Sequence, residues 1–398
     1  MSEERHVKHR PHKAVNTKPD NYAVIDSDTS KQSPIDTGKP QKKKFVWTRK
    51  RIIIAVVSAL VVLGGATGGY LWWRNATKRT VTSRTVESPK TTAAVAKPNT
   101  KPSMLTGVEV EPSLATRPTL ATVIENLYPD ARPQSGLSTA GVVYEALAEG
   151  GITRYLALYQ EKLPDNIGPI RSIRTYFVDW GLEYDAPVVH AGGNIDALDL
   201  IDPLGMKNLD QFYNGNYFRR IGTRYAPHNL YSTGKQLDQL MKDRGYFETP
   251  KFEPWQRKDD TKSSSPNAKA ININFSYSDY DAQFEYDPAS NSYLRSVRNQ
   301  PDIDADNNKR ITPKNVVVMY MPTSYGLTRI NEQTVIMQTI GSGRAIVFED
   351  GIAIDGTWSK SSHDGRTVFK DSTGKVIQLN RGQTLVSVIP TTKSVSYQ

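Results

Sequence analysis

Hydrophobic and polar positions divide the 398 residues into four stretches. Residues 1–51 are mostly Lys, His, Pro, Ser, Thr and Asp, with scattered apolar side chains. They predict a disordered tail, because so little apolar surface cannot offset the entropy of ordering the chain. From Ile52 to Leu71 the pattern inverts: twenty residues of mainly Ile, Val, Leu, Ala and Gly carry no charge. As a helix they rise about 30 Å, the thickness of a bilayer's hydrocarbon core. Trp47 precedes the run, and Tyr70, Trp72 and Trp73 close it, as an interfacial aromatic belt would. The expected element is an uncleaved transmembrane helix over 52–73. Residues 74–113, rich in Thr, Lys, Pro and Ala, show no apolar periodicity and predict a flexible stalk.

Dense apolar patterning begins at 114. Val142–Ala146 and Arg154–Tyr159 read as strands around a Glu149-Gly150-Gly151 turn. Pro169 fits a first helical position, with Ile170, Ile173, Phe177 and Trp180 along one face. Pro187–Ala191 is a short β-run that feeds Gly192-Gly193 and a helix from Asn194 through Ile201. Residues 256–269, polar and containing Ser-Ser-Ser-Pro, predict a linker. Residues 270–398 read as strands, including Ile271–Tyr277, Val316–Met321, Ala345–Glu349 and Leu385–Ile389. The expected fold class is α+β, or mixed α/β. A sandwich-like α/β domain over 114–255 and a mainly β domain over 270–398 follow a single N-terminal transmembrane helix.

Charge refines this picture. The chain holds 51 Lys+Arg against 41 Asp+Glu, a net charge of +10. Residues 1–51 contribute +7, residues 72–115 contribute +4, and residues 116–398 contribute −1. The basic excess therefore flanks the apolar run, and nucleic acid is not an expected partner. Seven Lys/Arg lie in the fifteen residues before the run and four in the fifteen after it. That asymmetry predicts a cytoplasmic N-terminus and extracellular C-terminal domains in a single-pass protein of the cell membrane. Gly64/Gly68 and Gly65/Gly69 offer small-residue pairs for a homodimer within the membrane; a glycine-rich helix end is the plainer account. With no cysteine, thiolate metal sites, disulfides and cysteine nucleophiles are excluded.

Two polar clusters carry the candidate chemistry. One comprises Arg171 and Arg174 on the expected helix, followed by His190, Gly192, Gly193 and Asn194 at a strand-to-helix turn. The other comprises Arg220, Arg224, His228 and Asn229. Arginines three apart in one helical turn can converge on an anion, and N–H groups at a helix start add to such a nest. The functional reading is one cleft for a carboxylate or phosphate, with His190 or His228 available as acid or base. The alternative is that these side chains pair with Glu145, Glu149, Asp179 and Asp185 to pin loops. Ser232-Thr-Gly-Lys235 reads better as a helix cap than as a nucleophile motif. Asp302, Asp304 and Asp306 alternate as in a calcium loop, but Asn307 and Pro313 stand where Gly and Glu would be required, so a polar turn is expected. No cofactor fingerprint or metal-ligand set appears.

Several runs resemble the YerB-like lipoprotein family: Glu149-Gly-Gly-Ile-Thr-Arg154, Gly168-Pro-Ile-Arg-Ser-Ile-Arg174, Val189-His-Ala-Gly-Gly193 and Ala226-Pro-His-Asn-Leu-Tyr231. Phe284-Glu-Tyr-Asp287, Gly356-Thr-Trp358 and Arg381-Gly-Gln383 resemble its second domain. The resemblance spans about 118–398. It implies a two-domain protein outside the cytoplasm, of unknown function, and brings no catalytic assignment. The sequence lacks the lipid-accepting Cys of that family, and the helix at 52–71 would replace that tether. The leading expectation is a membrane-anchored extracellular protein, more a binder than an enzyme, that holds an anionic cell-envelope ligand or an assembly partner. The alternatives are a metal-independent hydrolase or transferase acting on cell-wall polymers, and a purely structural or assembly protein.

Overall fold

The computed structural model describes residues 99–398. The expected tail, the 52–73 helix with its glycine pairs, and stalk residues 74–98 lie outside the described residues. Among the described residues no helix is long and apolar enough to cross a membrane. The architecture is mixed α/β, mostly strand with few helices.

Ten strands form one mixed sheet. In chain order they are β1 (Leu120–Glu125), β2 (Val142–Leu147), β3 (Thr153–Tyr159), β4 (Val188–His190), β5 (Asn208–Asp210), β6 (Asn315–Met321), β7 (Gly341–Glu349), β8 (Ile352–Lys360), β9 (Val368–Asp371) and β10 (Thr384–Pro390). Across the sheet the order is β9-β8-β7-β6-β10-β2-β3-β1-β4-β5. Every residue of β1, β2, β3 and β10 is buried. Strands covered on both faces gain nothing from alternation, which is why their sequences run nearly continuously apolar. A separate five-stranded antiparallel sheet joins Ala270–Ile273, Ala282–Asp287, Ser292–Val297, Gln300–Pro301 and Val395–Tyr397.

Among the described residues, three helices of seven or more residues accompany the strands, besides a four-residue helix at Pro112–Ala115. α1 (Thr175–Leu182) places Trp180 on Tyr144 of β2, with centroids 4.7 Å apart and rings 12° from parallel. Such a pair adds about 0.5–1.5 kcal/mol beyond its buried area. α2 (Ile195–Ile201) is capped by Asn194, whose Oδ1 accepts the Ala197 N–H at 3.1 Å. α3 (Gly234–Asp243) is capped by Thr233, and Ser232 is buried with its hydroxyl donating to the Tyr217 carbonyl.

Three expectations change. The helix foreseen from Pro169 starts only at Thr175. Upstream the chain is extended: Ile170 bridges Ile124, Ile173 bridges Gly193, and the Ile170 and Arg171 N–H groups donate to Leu230 and Val123. Gly168, at φ +152°, permits this course, since a Cβ there would meet the Leu230 carbonyl at 2.8 Å. Ile170 and Ile173 are helically spaced because both sides of an irregular extended segment are buried.

The stalk also ends earlier than residue 113. Lys101–Pro102 pairs with Glu109–Val110, and Leu105 is fully buried. The Leu105 N–H donates to Gln160 Oε1 at 2.9 Å, and its carbonyl accepts Arg257 Nη2 at 2.6 Å. One leucine held by two distant side chains leaves no periodic trace.

Finally, residues 256–269 are not wholly a spacer. Arg257–Lys258 pairs in parallel with Leu379–Asn380, and burial lowers the Arg257 pKa to about 10. The expected domains share the larger sheet: β2 from one pairs in parallel with β10 from the other, Tyr144 opposite Val386.

Candidate functional site

β1, β4 and β5 run parallel, and their last residues are Glu125, His190 and Asp210. Functional groups in α/β sheets gather beyond such carboxyl ends. Glu125 is fully buried. Its Oε1 lies 3.0 Å from Arg171 Nε, and its Oε2 lies 3.0 Å from His228 Nδ1. Arg171 and His228 thus meet on a carboxylate that the sequence reading did not single out. The signal for it is an ionisable residue ending an otherwise apolar strand, Leu-Ala-Thr-Val-Ile-Glu.

The other half of the expected cleft is turned elsewhere. His190 is fully buried, with Nδ1 2.9 Å from the Gly192 carbonyl and Nε2 2.9 Å from Asn208 Oδ1. Burial lowers its pKa against the opposing pull of Asp210. With both ring nitrogens engaged it cannot serve as an acid or base toward a ligand. The expected anion nest is filled from within: the Gly192 N–H donates to Asp210 Oδ1 at 2.9 Å. Gly193 packs on Ile173, and Asn194 is occupied by its capping bond and a bond to Thr334 Oγ1.

Because no helix carries them, Arg171 and Arg174 diverge. Arg174 holds Glu149 with two arms, Nε to Oε1 at 2.7 Å and Nη2 to Oε2 at 2.5 Å. Burial would raise the Glu149 pKa, but this contact outweighs it and keeps the carboxyl below its ordinary range. The single cleft uniting Arg171, His190 and His228 is therefore not formed. The pairing alternative holds for Arg174 with Glu149. The other three acids have different cationic partners: Glu145 has Arg295, Asp179 has His363, and Asp185 has Lys207.

What the fold does bring together is the segment 217–229. Arg220 Nη1 donates to Asn229 Oδ1 at 2.8 Å. Arg224 donates to the Ala131 and Pro133 carbonyls and to the Tyr231 hydroxyl at 3.0, 2.7 and 2.7 Å. Arg219 donates to Asn166 Oδ1. All these acceptors are neutral. Beside Arg174, Arg154 is buried, with Nη1 on the Ser172 carbonyl, and burial together with the Arg174 charge lowers its pKa to about 10. Tyr225 within the segment is 91% exposed, and Phe212 and Tyr213, just before it in the chain, are 73% and 78% exposed. A shallow cavity of about 330 Å³ lies there, lined by residues 212–217, Asp243 and Arg244. A cavity of about 420 Å³ lies apart from the segment, with Glu149 and Thr334 in its wall. Among the described residues no group of His and acidic side chains is arranged to hold a metal ion.

Residues 105–247 match the N-terminal domain, and residues 271–386 the C-terminal domain, of a family described as protein of unknown function (DUF3048). The chain is 29% identical over 294 residues to the putative lipoprotein YerB of Bacillus subtilis, covering 72% of this chain and 85% of that one. The fold is similar to the crystal structure of YerB protein from Bacillus subtilis, with a TM-score of 0.65 and 26% identity. That match covers 74% of this chain and 99% of the other.

Proposed function

The chain belongs to the YerB-like family, and on that premise we propose that its folded unit binds an anionic polymer of the bacterial cell envelope along residues 217–229. The observation that carries this reading is the charge of the segment. Arg219, Arg220 and Arg224 end on neutral oxygens, so their hydrogen bonds orient the guanidinium groups without neutralising them. The exposed ring of Tyr225 adds an apolar face within the same segment, and exposed Phe212 and Tyr213 precede it in the chain, suited to a polymer that alternates anionic and ring-shaped units. The location rests on the apolar run at 52–71, which would anchor the protein with its N-terminus inside and its folded unit outside. A relative named as a putative lipoprotein supports attachment to a membrane.

Residues 99–398, which hold their own core, can be tested for retention on purified wall glycan and on teichoic-type polymer. Exchanging Arg219, Arg220 and Arg224 together for Ala is expected to weaken retention about tenfold and to reduce its salt dependence. Unchanged retention at both low and high salt would reject the reading.

A hydrolase or transferase remains a second reading because of one contact. His228 Nδ1 faces the buried Glu125, whereas Nε2 makes no hydrogen bond among the described residues. A buried carboxylate that fixes an imidazole this way leaves the opposite nitrogen free to take a proton. This reading expects soluble fragments to be released from the same polymers, and the release to stop in His228→Gln while retention persists.

A further inference from the structure

A cavity of about 280 Å³ separates the Tyr128–Gln134 loop from residues 297–303. Pro129, Pro133, Pro301 and Ile303 give it apolar walls, and two guanidinium groups supply its charge. Arg132 lies 5.7 Å from the Tyr128 ring centroid and 5.2 Å from that of Tyr280. Its Nε donates to Asn126 Oδ1 at 2.7 Å, while its Nη2 is buried with no partner. Arg298 lies 3.7 Å from the same Tyr128 ring and pairs with Asp279 at the surface, at 2.6 Å. The acid in the cavity wall, Asp302, is already bound to the buried Arg295, Nε to Oδ2 at 2.7 Å.

Two cations thus share one aromatic ring, and one of them has no counter-charge. We propose that this cavity is a binding site for a small carboxylate-bearing molecule, with its carboxylate between Arg132 and Arg298 and its apolar body against the prolines. A planar carboxylate matches the guanidinium fork and would supply the counter-charge that Arg132 lacks. The volume suits a ligand of dipeptide size. The inference stands independently of the polymer-binding reading, since neither Arg132 nor Arg298 belongs to residues 217–229.

The test titrates the full chain in detergent with N-acetyl-alanyl-alanine and, separately, with its C-terminal amide, followed by calorimetry. The acid is expected to bind and the amide to bind at least about tenfold more weakly. Arg132→Gln and Arg298→Gln should each weaken binding of the acid by about tenfold, and Arg219→Ala should not. Arg298 is exposed, so its exchange tests the site even where Arg132→Gln disturbs folding. Equal binding of acid and amide would overturn the assignment. So would no binding of the acid up to about 10 mM, or Arg298→Gln binding it like wild type.

Discussion

Glu349 at the end of β7 is only 2% exposed, and its surroundings favour the uncharged form. Burial raises its pKa to about 7 even though Lys258 Nζ lies 3.4 Å from Oε1 and the Asn380 N–H donates to Oε2 at 3.0 Å. Neighbouring Asp350 explains the imbalance. It takes the same lysine at 2.5 Å and the amides of Asn291 and Asn380 at 2.8 Å. Those contacts override burial and hold Asp350 below its ordinary range, leaving Glu349 with the weaker share. A carboxyl raised on folding binds its proton more tightly in the native state. Its stabilising contribution is complete below the unfolded pKa, near 4.5, and disappears as pH rises through about 7. The span corresponds to about 3 kcal/mol at most. Denaturant unfolding should therefore show wild type losing stability relative to Glu349→Gln between about pH 5 and pH 8. A stability difference independent of pH would contradict the assignment.

At the scale of elements, the loop at 302–310 acts as a clamp between distant parts of the chain. Asp304 Oδ1 accepts the Gly136 N–H at 2.8 Å, and its Oδ2 accepts the Ser138 N–H at 2.7 Å. Asp306 Oδ1 accepts the Asn166 N–H at 2.7 Å. Asp304 is itself buried, so Asp304→Ala leaves the Gly136 and Ser138 amides without their acceptors, at a cost of about 1–3 kcal/mol. Amide exchange at Gly136 and Ser138 should accelerate while the interior of β2 stays protected; unchanged exchange at both would remove the clamp.

The same loop marks what was legible in the sequence. Its polar alternation was visible, but the donors it serves lie more than a hundred residues away. Local patterns announced β2, β3 and the helix after Asn194, because apolar runs and caps are short-range signals. The course of residues 169–174 is not legible locally, since the extended pairing with Val123 and Leu230 depends on segments distant in the chain. The candidate site shared this fate. Arg220, Arg224, His228 and Asn229 stand close together in the sequence, whereas the Glu125 on which Arg171 and His228 meet ends an apolar strand about a hundred residues from His228.

For the whole molecule, the decisive feature is the seam where β2 meets β10. The two strands align over Val142–Ala146 and Thr384–Val388, with every residue of both buried. Further ties run alongside: Gln383 Nε2 donates to the Leu137 and Ala140 carbonyls at 2.8 and 2.7 Å, and Arg295 Nη2 reaches Glu145 at 2.8 Å. Arg295 and Glu145 are almost wholly removed from water, so separating the halves leaves Glu145 without its cation while Arg295 keeps Asp302; losing one partner of a buried pair costs about 3–5 kcal/mol. It also leaves β2 as an unprotected apolar edge. Residues 99–255 made alone should accordingly aggregate or remain loosely packed, without the near-ultraviolet signature of fixed Trp180 and Tyr144. Co-expression with residues 256–398 should restore a soluble complex that co-purifies, because the seam supplies both the missing strand and the missing cation. Cooperative unfolding of residues 99–255 alone, with native near-ultraviolet dichroism, would show instead that the two matched domains are energetically separable and that the shared sheet is only an alignment of independent units.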